Sequence, residues 1–176
     1  GGGPDDEDGV NIPTLTAGET SIIDINVNNS TGQIAYVQGW IDFNGDGDFD
    51  DTIGGISEQI ATNVVVPANS NTPLSLTFDV PAGATPGTSY ARLRISTDQD
   101  LPSTGATPAP DGEVEDHLVT IGNIEYDYGD HPDADDGSNY PTNDTDGGEG
   151  PGARHQLGTD LRFGDDVDAD PDGQPT

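Results

Sequence analysis

The chain has 176 residues, 34 of them acidic, against only four arginines and no lysine, for a formal charge of −30 at pH 7. Phosphate backbones and anionic bilayer surfaces are bound by clustered Lys and Arg, so nucleic acid and membrane surfaces are excluded as partners. Without cysteine no disulfide can staple the fold, and no apolar run is long enough to cross a bilayer.

Residues 1–10, "GGGPDDEDGV", are mostly glycine and acid and read as an acidic junction segment. From 11 to 121 the pattern changes to short runs of period-two alternation. Ile23, Ile25 and Val27 share one face of the first clear run. Further runs lie at Ile34–Ile41 and Gln59–Val66. Leu74, Leu76, Phe78 and Val80 then share a face, as do Ala91, Leu93 and Ile95, with Arg92 and Arg94 pointing away. The last run is Val114–Ile121. Six or seven such strands with turn residues between them predict an all-β chain, an immunoglobulin-like antiparallel β-sandwich. "LPSTG", Leu101–Gly105, has the look of a sorting signal but lies mid-chain without the tail that signal needs, so it reads as a loop. Residues 122–176 are rich in Asp, Gly and Pro. Their few apolar residues, among them Leu157, Leu161 and Phe163, are too few for a separate core. This irregular acidic segment is expected to dock on the sandwich, wrap around ions, or stay mobile. With neither Met nor a signal peptide, the chain reads as a piece of something larger.

The densest chemistry is "IDFNGDGDFDD", Ile41–Asp51. Asp42, Asn44 and Asp46 alternate and are followed by Gly47, the start of a calcium loop in which side-chain oxygens converge while glycine permits the turn. Asp48 would offer its backbone carbonyl, and Asp50 would reach the ion directly or through water. The twelfth position is Ile53 where a bidentate Glu is usual, so a ligand must come from elsewhere, with Glu58 the nearest candidate. Hard oxygen donors without His or Cys favour calcium over zinc or copper. The alternative is a solvated acidic turn closing a hairpin.

"GWIDFNGDGDF", "VPAGATPGTSYARLRIS" and "DGEVEDHLVTI" together resemble the GEVED domain, named for the motif at Gly112–Asp116. "DYGDHPD", "GARHQLG" and "VDADPDGQPT" resemble a segment that commonly precedes such domains, followed by an acidic run like Asp6–Val10. His117 stands where that family usually has Tyr, and His131 where it has a small residue. The resemblance implies an extracellular, calcium-rich bacterial β-domain and no known reaction.

Other acids leave two readings open. Glu113, Glu115 and Asp116 suit a second ligand set or cross-strand pairing with Arg92 and Arg94. Asp127, Asp130 and Asp133, and the spaced Asp166, Asp168, Asp170 and Asp172, suit calcium or a hydrated linker. In the family order the C-terminal segment precedes the sandwich, so this chain reads as one period cut from a tandem array. Asp166–Asp172 of one copy and Asp5, Asp6, Glu7 and Asp8 of the next would then share calcium at a junction. Asn28, Asn29 and Asn143 lie in N-glycosylation sequons. No nucleophile elbow, phosphate loop or paired-His motif appears, so no enzyme is expected. The function expected is a structural repeat of an extracellular, calcium-stabilised fibre, stalk or surface layer, partnered by copies of itself. The alternative is an adhesin module that binds glycan or another cell's surface.

Overall fold

The computed structural model describes residues 9–106, 108–128 and 153–157. The chain divides into two units, Gly1–Asn123 and Ile124–Thr176. In the first, β1 (Val10–Asn11), β2 (Leu15–Thr16), β3 (Thr20–Asn29) and β4 (Ala35–Ile41) lead to a small hairpin, β5 (Thr52–Ile53) and β6 (Ile56–Ser57). Strands β7 (Gln59–Val66), β8 (Ser70–Asp79), β9 (Gly87–Ser96) and β10 (Glu113–Gly122) follow. They form a three-stranded sheet, β1-β3-β8, and a five-stranded sheet, β2-β10-β9-β4-β7. The pairings are antiparallel except β2 beside β10, joined at Leu15↔Ile121 and Thr16↔Gly122. The chain is all-β and sandwich-like, as its alternation predicts.

Alternation decides which residues meet between the sheets. Ile23, Ile25 and Val27 of β3 and Leu76 and Phe78 of β8 are buried on one side, and Val37, Ile41, Leu93, Val119 and Ile121 on the other. Leu15, from the two-residue β2, is fully buried and closes one edge of this core. Burial of side chains this size, at roughly 1.5–3 kcal/mol each, is the main favourable term for a chain without covalent staples.

The outer face of the five-stranded sheet is not left bare. Trp40 and Gln38 stand opposite Arg92 and Arg94 there, and both are buried. The connection from β9 to β10 lies over this face and is fastened through its own backbone. Arg92 Nη1 donates to the Ser103 carbonyl at 2.8 Å, and Arg94 Nη1 to the carbonyls of Pro102 and Thr104. Asn63 Nδ2 donates to Asp100 Oδ1 at 2.7 Å, and Asp100 N returns a bond to Asn63 Oδ1 at 2.9 Å. Leu101 is buried beneath. "LPSTG" is therefore a loop, and its carbonyls are what the two arginines hold.

Gly112 re-enters the sheet with φ near +91°, and a Cβ there would sit 1.8 Å from the Ile95 carbonyl oxygen. Only glycine fits. Just before it, Asp111 accepts bonds from Ser96 Oγ (2.7 Å), Thr97 N (2.9 Å) and Thr97 Oγ1 (2.7 Å), which hold its carboxyl below the usual range.

In the second unit, β11 (Tyr126–Tyr128) and β12 (Arg154–Gln156) pair antiparallel, with Asp127 opposite His155. The Leu157 amide donates to the Glu125 carbonyl at 2.9 Å, and the Arg154 guanidinium lies 4.5 Å from the centre of the Tyr126 ring.

Candidate metal centre

The Asp-rich loop leaves β4 at Asp42 and reaches β5 at Thr52. Its second residue anchors it: Phe43 is fully buried, with its ring 6.4 Å from that of Phe78. Asp42, also buried, folds the first turn by accepting Gly45 N at 2.6 Å and Gly47 N at 3.1 Å. Gly47, at φ near +97°, gives the turn the left-handed residue it requires. Successive side chains then cap the backbone two residues on. Asn44 Oδ1 accepts Asp46 N, Asp46 Oδ1 accepts Asp48 N, and Asp48 Oδ1 accepts Asp50 N, at 3.0–3.2 Å. Short polar side chains make this kind of turn.

Glu58 closes the base. Fully buried, it accepts Phe43 N at Oε1 (2.9 Å) and Asp51 N at Oε2 (3.3 Å), tying the loop's two ends together. Burial pushes its carboxyl up, against the backbone amides of Phe43, Asp51 and Asn44 that pull it down, and the Asp42 charge adds to the rise. The residue the spacing offers as the missing ligand thus clamps the loop through backbone amides.

The carboxylates that come together are Asp46, Asp48 and Asp51, with one oxygen from each lying within 4.8 Å of the others. Asn44 Nδ2 donates to both Asp46 Oδ2 (3.1 Å) and Asp51 Oδ2 (2.6 Å). The Asp48 amide and the Asn44 side chain hold the Asp46 carboxyl below the usual range. Contact with Asp48 raises that of Asp50, which stands outside the trio. Asp48 therefore brings its carboxylate into the cluster, where the spacing suggests its carbonyl. Asp51 is the residue the spacing misses. Its signal is the doubled acid Asp50–Asp51: strict alternation selects the first, but the chain has already turned, so the second faces inward.

The strands around this loop and the motif at 112–116 decide the family. The GEVED domain profile matches residues 36–120, from β4 through β10. The protein carries a GEVED domain. No match is found among curated proteins. Within the GEVED domain, the motif's own residues divide between the two faces of the sheet. Asp116 lies opposite Arg92 and takes both its Nε (2.6 Å) and its Nη2 (2.5 Å). That bidentate bond lowers the Asp116 carboxyl and raises the Arg92 guanidinium. The same guanidinium lies 5.5 Å from the centre of the Phe49 ring, so it touches the Asp-rich loop, the GEVED strand and the 101–105 loop together. Glu113 and Glu115 stand opposite Ile95 and Leu93, on the sheet's other face. Cross-strand pairing thus belongs to Asp116. Glu115 Oε2 instead meets His117 Nε2 at 3.0 Å, with both side chains largely buried.

Asp127 lies in β11, in the second unit. Asp5, Asp6, Glu7, Asp8, Asp130, Asp133, Asp166, Asp168, Asp170 and Asp172 lie outside the described residues.

Proposed function

We propose that this GEVED domain is a structural module of an extracellular bacterial fibre, stalk or surface layer, and that calcium bound in the Asp42–Asp51 loop stabilises it. The observation that carries the reading is the convergence of Asp46, Asp48 and Asp51 on a loop whose base is buried. Three carboxylates this close repel one another, and a hard divalent cation removes that repulsion. The donors are all oxygen, which suits calcium. Asp46, Asp48 and Asp51 would hold the ion, and Asn44 would add its oxygen only by turning over the amide whose Nδ2 faces Asp46 and Asp51. Asp42 and Glu58 would keep the cage in shape through the backbone amides they accept. Trp40 is buried and offers sugar no platform, and the aromatic exposed among the described residues is Tyr90, so Tyr90→Ala in a glycan-binding assay separates the structural role from the adhesin alternative.

The test is thermal melting with and without calcium. Extracellular sites bind with Kd on the order of 10⁻⁴–10⁻³ M, and an ion at one hundred times Kd adds about 2.7 kcal/mol. Tm should fall on adding EDTA and return with calcium. An unchanged Tm after thorough chelation would refute the metal centre. Labelling of intact cells with an antibody to the domain tests the location: an interior signal alone would refute the surface role.

A further inference from the structure

The sequence holds a single Asn-Gly pair, Asn44–Gly45, and the fold sets it in the first turn of the Asp-rich loop. Asparagine before glycine is the dipeptide most open to ring closure, because no side chain on the second residue hinders the approach of its nitrogen. Gly45 is exposed, nothing lies within 4 Å of where its Cβ would stand, and Asn44 is half-buried. In the reaction the Gly45 nitrogen attacks Asn44 Cγ. The new N–Cγ bond closes a cyclic imide, the Cγ–Nδ2 bond breaks, and Nδ2 leaves as ammonia with the proton of the Gly45 amide. Water then opens the imide at either carbonyl. One product is aspartate; the other is isoaspartate, in which the backbone runs through Cγ. Water is the one reactant that the chain does not supply.

The folded loop holds both reacting groups off this path. The Gly45 N–H donates to Asp42 Oδ1 at 2.6 Å, so the nucleophile is already engaged. Removing its proton would leave a negative nitrogen beside that carboxylate, and a like charge disfavours the charged form. The Asn44 amide is fixed at both ends. Its Oδ1 accepts Asp46 N at 3.0 Å, and its Nδ2 donates to Asp46 Oδ2 at 3.1 Å and to Asp51 Oδ2 at 2.6 Å. Ring closure would swing the amide out of these bonds. It therefore waits on opening of the loop, and the fraction of time spent open sets the rate. The product changes the loop in one direction. Nδ2 is the side-chain donor shared by Asp46 and Asp51, and the carboxylate that replaces it repels both. We propose that Asn44–Gly45 is a site of spontaneous deamidation, gated by opening of the Asp-rich loop, and that its product weakens the loop irreversibly. The inference stands apart from the calcium reading, because every bond it invokes lies within the chain.

The test compares the full chain, folded in EDTA at mildly alkaline pH, with the same chain held denatured in guanidinium, both sampled over time by peptide mass mapping. Asn44 should convert in both, at least about tenfold more slowly in the folded chain, the factor that an opening cost of about 1.4 kcal/mol gives. Asp42→Ala, which frees the Gly45 N–H, should bring the folded rate toward the denatured one, and circular dichroism would verify that the variant folds. Asp51→Ala frees only one bond to Nδ2 and should speed conversion by a smaller factor. Asn44→Asp, which makes the product directly, should melt below the parent in EDTA. The proposal is overturned by a folded chain that converts as fast as the denatured one, or by no conversion at Asn44. Unchanged folded rates in both loop variants would overturn it too, as would an Asn44→Asp protein that melts with the parent.

Discussion

Replacing Gly112 by alanine tests the motif that defines the domain. The position combines two obstacles. A φ near +91° is a conformation in which an L residue is strained by about 1–2 kcal/mol. The added Cβ would also meet the Ile95 oxygen at 1.8 Å, its carbonyl carbon at 2.7 Å and Ser96 Cα at 3.1 Å. All three belong to the backbone of β9, so no side-chain rotation relieves the overlap. Either the end of β9 or the entry to β10 must move, and the bonds from Ser96 and Thr97 to Asp111 would be lost with it. A total of about 3 kcal/mol or more is expected, which lowers Tm by roughly 10 °C for a domain this size. Gly105→Ala is the control. Nothing lies within 4 Å of a Cβ there, and alanine should be neutral or stabilising by up to about 1 kcal/mol. Thermal melts of both variants in the same buffer decide the matter. A Gly112→Ala protein melting within about 2 °C of the parent would refute the account of this turn, on the scale of a stability change under roughly 1 kcal/mol.

Asp51→Asn should reduce calcium affinity more than Asp50→Asn, as read by calorimetric titration; equal losses would return the loop to its simple alternating pattern. A double-mutant cycle on Arg92 and Asp116 should give a coupling of about 0.5–1 kcal/mol, because both side chains are partly exposed. Since Arg92 lowers the folded-state pKa of Asp116, that coupling is present above the ordinary aspartate range and is lost as pH falls through the depressed value. Urea melts of the cycle at pH 7 and pH 3 check both the size and the sign. Leu15→Ala should cost about 2–5 kcal/mol, because a fully buried side chain vanishes from a strand only two residues long. A urea midpoint close to the parent's would show that β2 contributes little.

The strands were legible because their signal is local. Period-two alternation marks Leu76, Phe78 and Val80 as surely in the sequence as burial does in the fold. What the sequence conceals depends on pairing. Glu113 and Glu115 share a face by alternation alone, but which face follows from their register against Ile95 and Leu93. Arg92 could not be assigned to Asp116 before that register was known. Asn29 is a similar case. Its sequon is plain, yet its amide donates to the carbonyls of Gln33, Val66 and Pro67 while its oxygen accepts Thr31, so the side chain has no room for a glycan. In the Asp-rich loop, spacing finds Asp46 and the turn at Gly47. The inward place of Asp51 and the clamp by Glu58 arise from closing the loop onto β7 and are invisible in a linear pattern.

The distribution of the cations among the described residues bears on the calcium proposed for this loop. Arg92 is engaged by Asp116 and by the Ser103 carbonyl, and Arg94 by the carbonyls of Pro102 and Thr104. Both therefore serve the outer face of the five-stranded sheet, where they fix a long connection over Trp40 and Gln38. The Asp-rich loop receives backbone amides and one neutral side-chain amide, that of Asn44, shared between Asp46 and Asp51. Such donors orient carboxylates but do not cancel their charge. Arg92 approaches the loop only at Phe49, through the face of a ring. Its contact can position the loop, while its charge is already matched by Asp116. Arg92 and Arg94 thus leave the trio's charge unmatched, and the divalent cation proposed here would neutralise it with one particle where monovalent ions would need two or three. The calcium proposed for the loop would thus supply a positive charge that Arg92 and Arg94, engaged at the outer face of the sheet, do not bring to it.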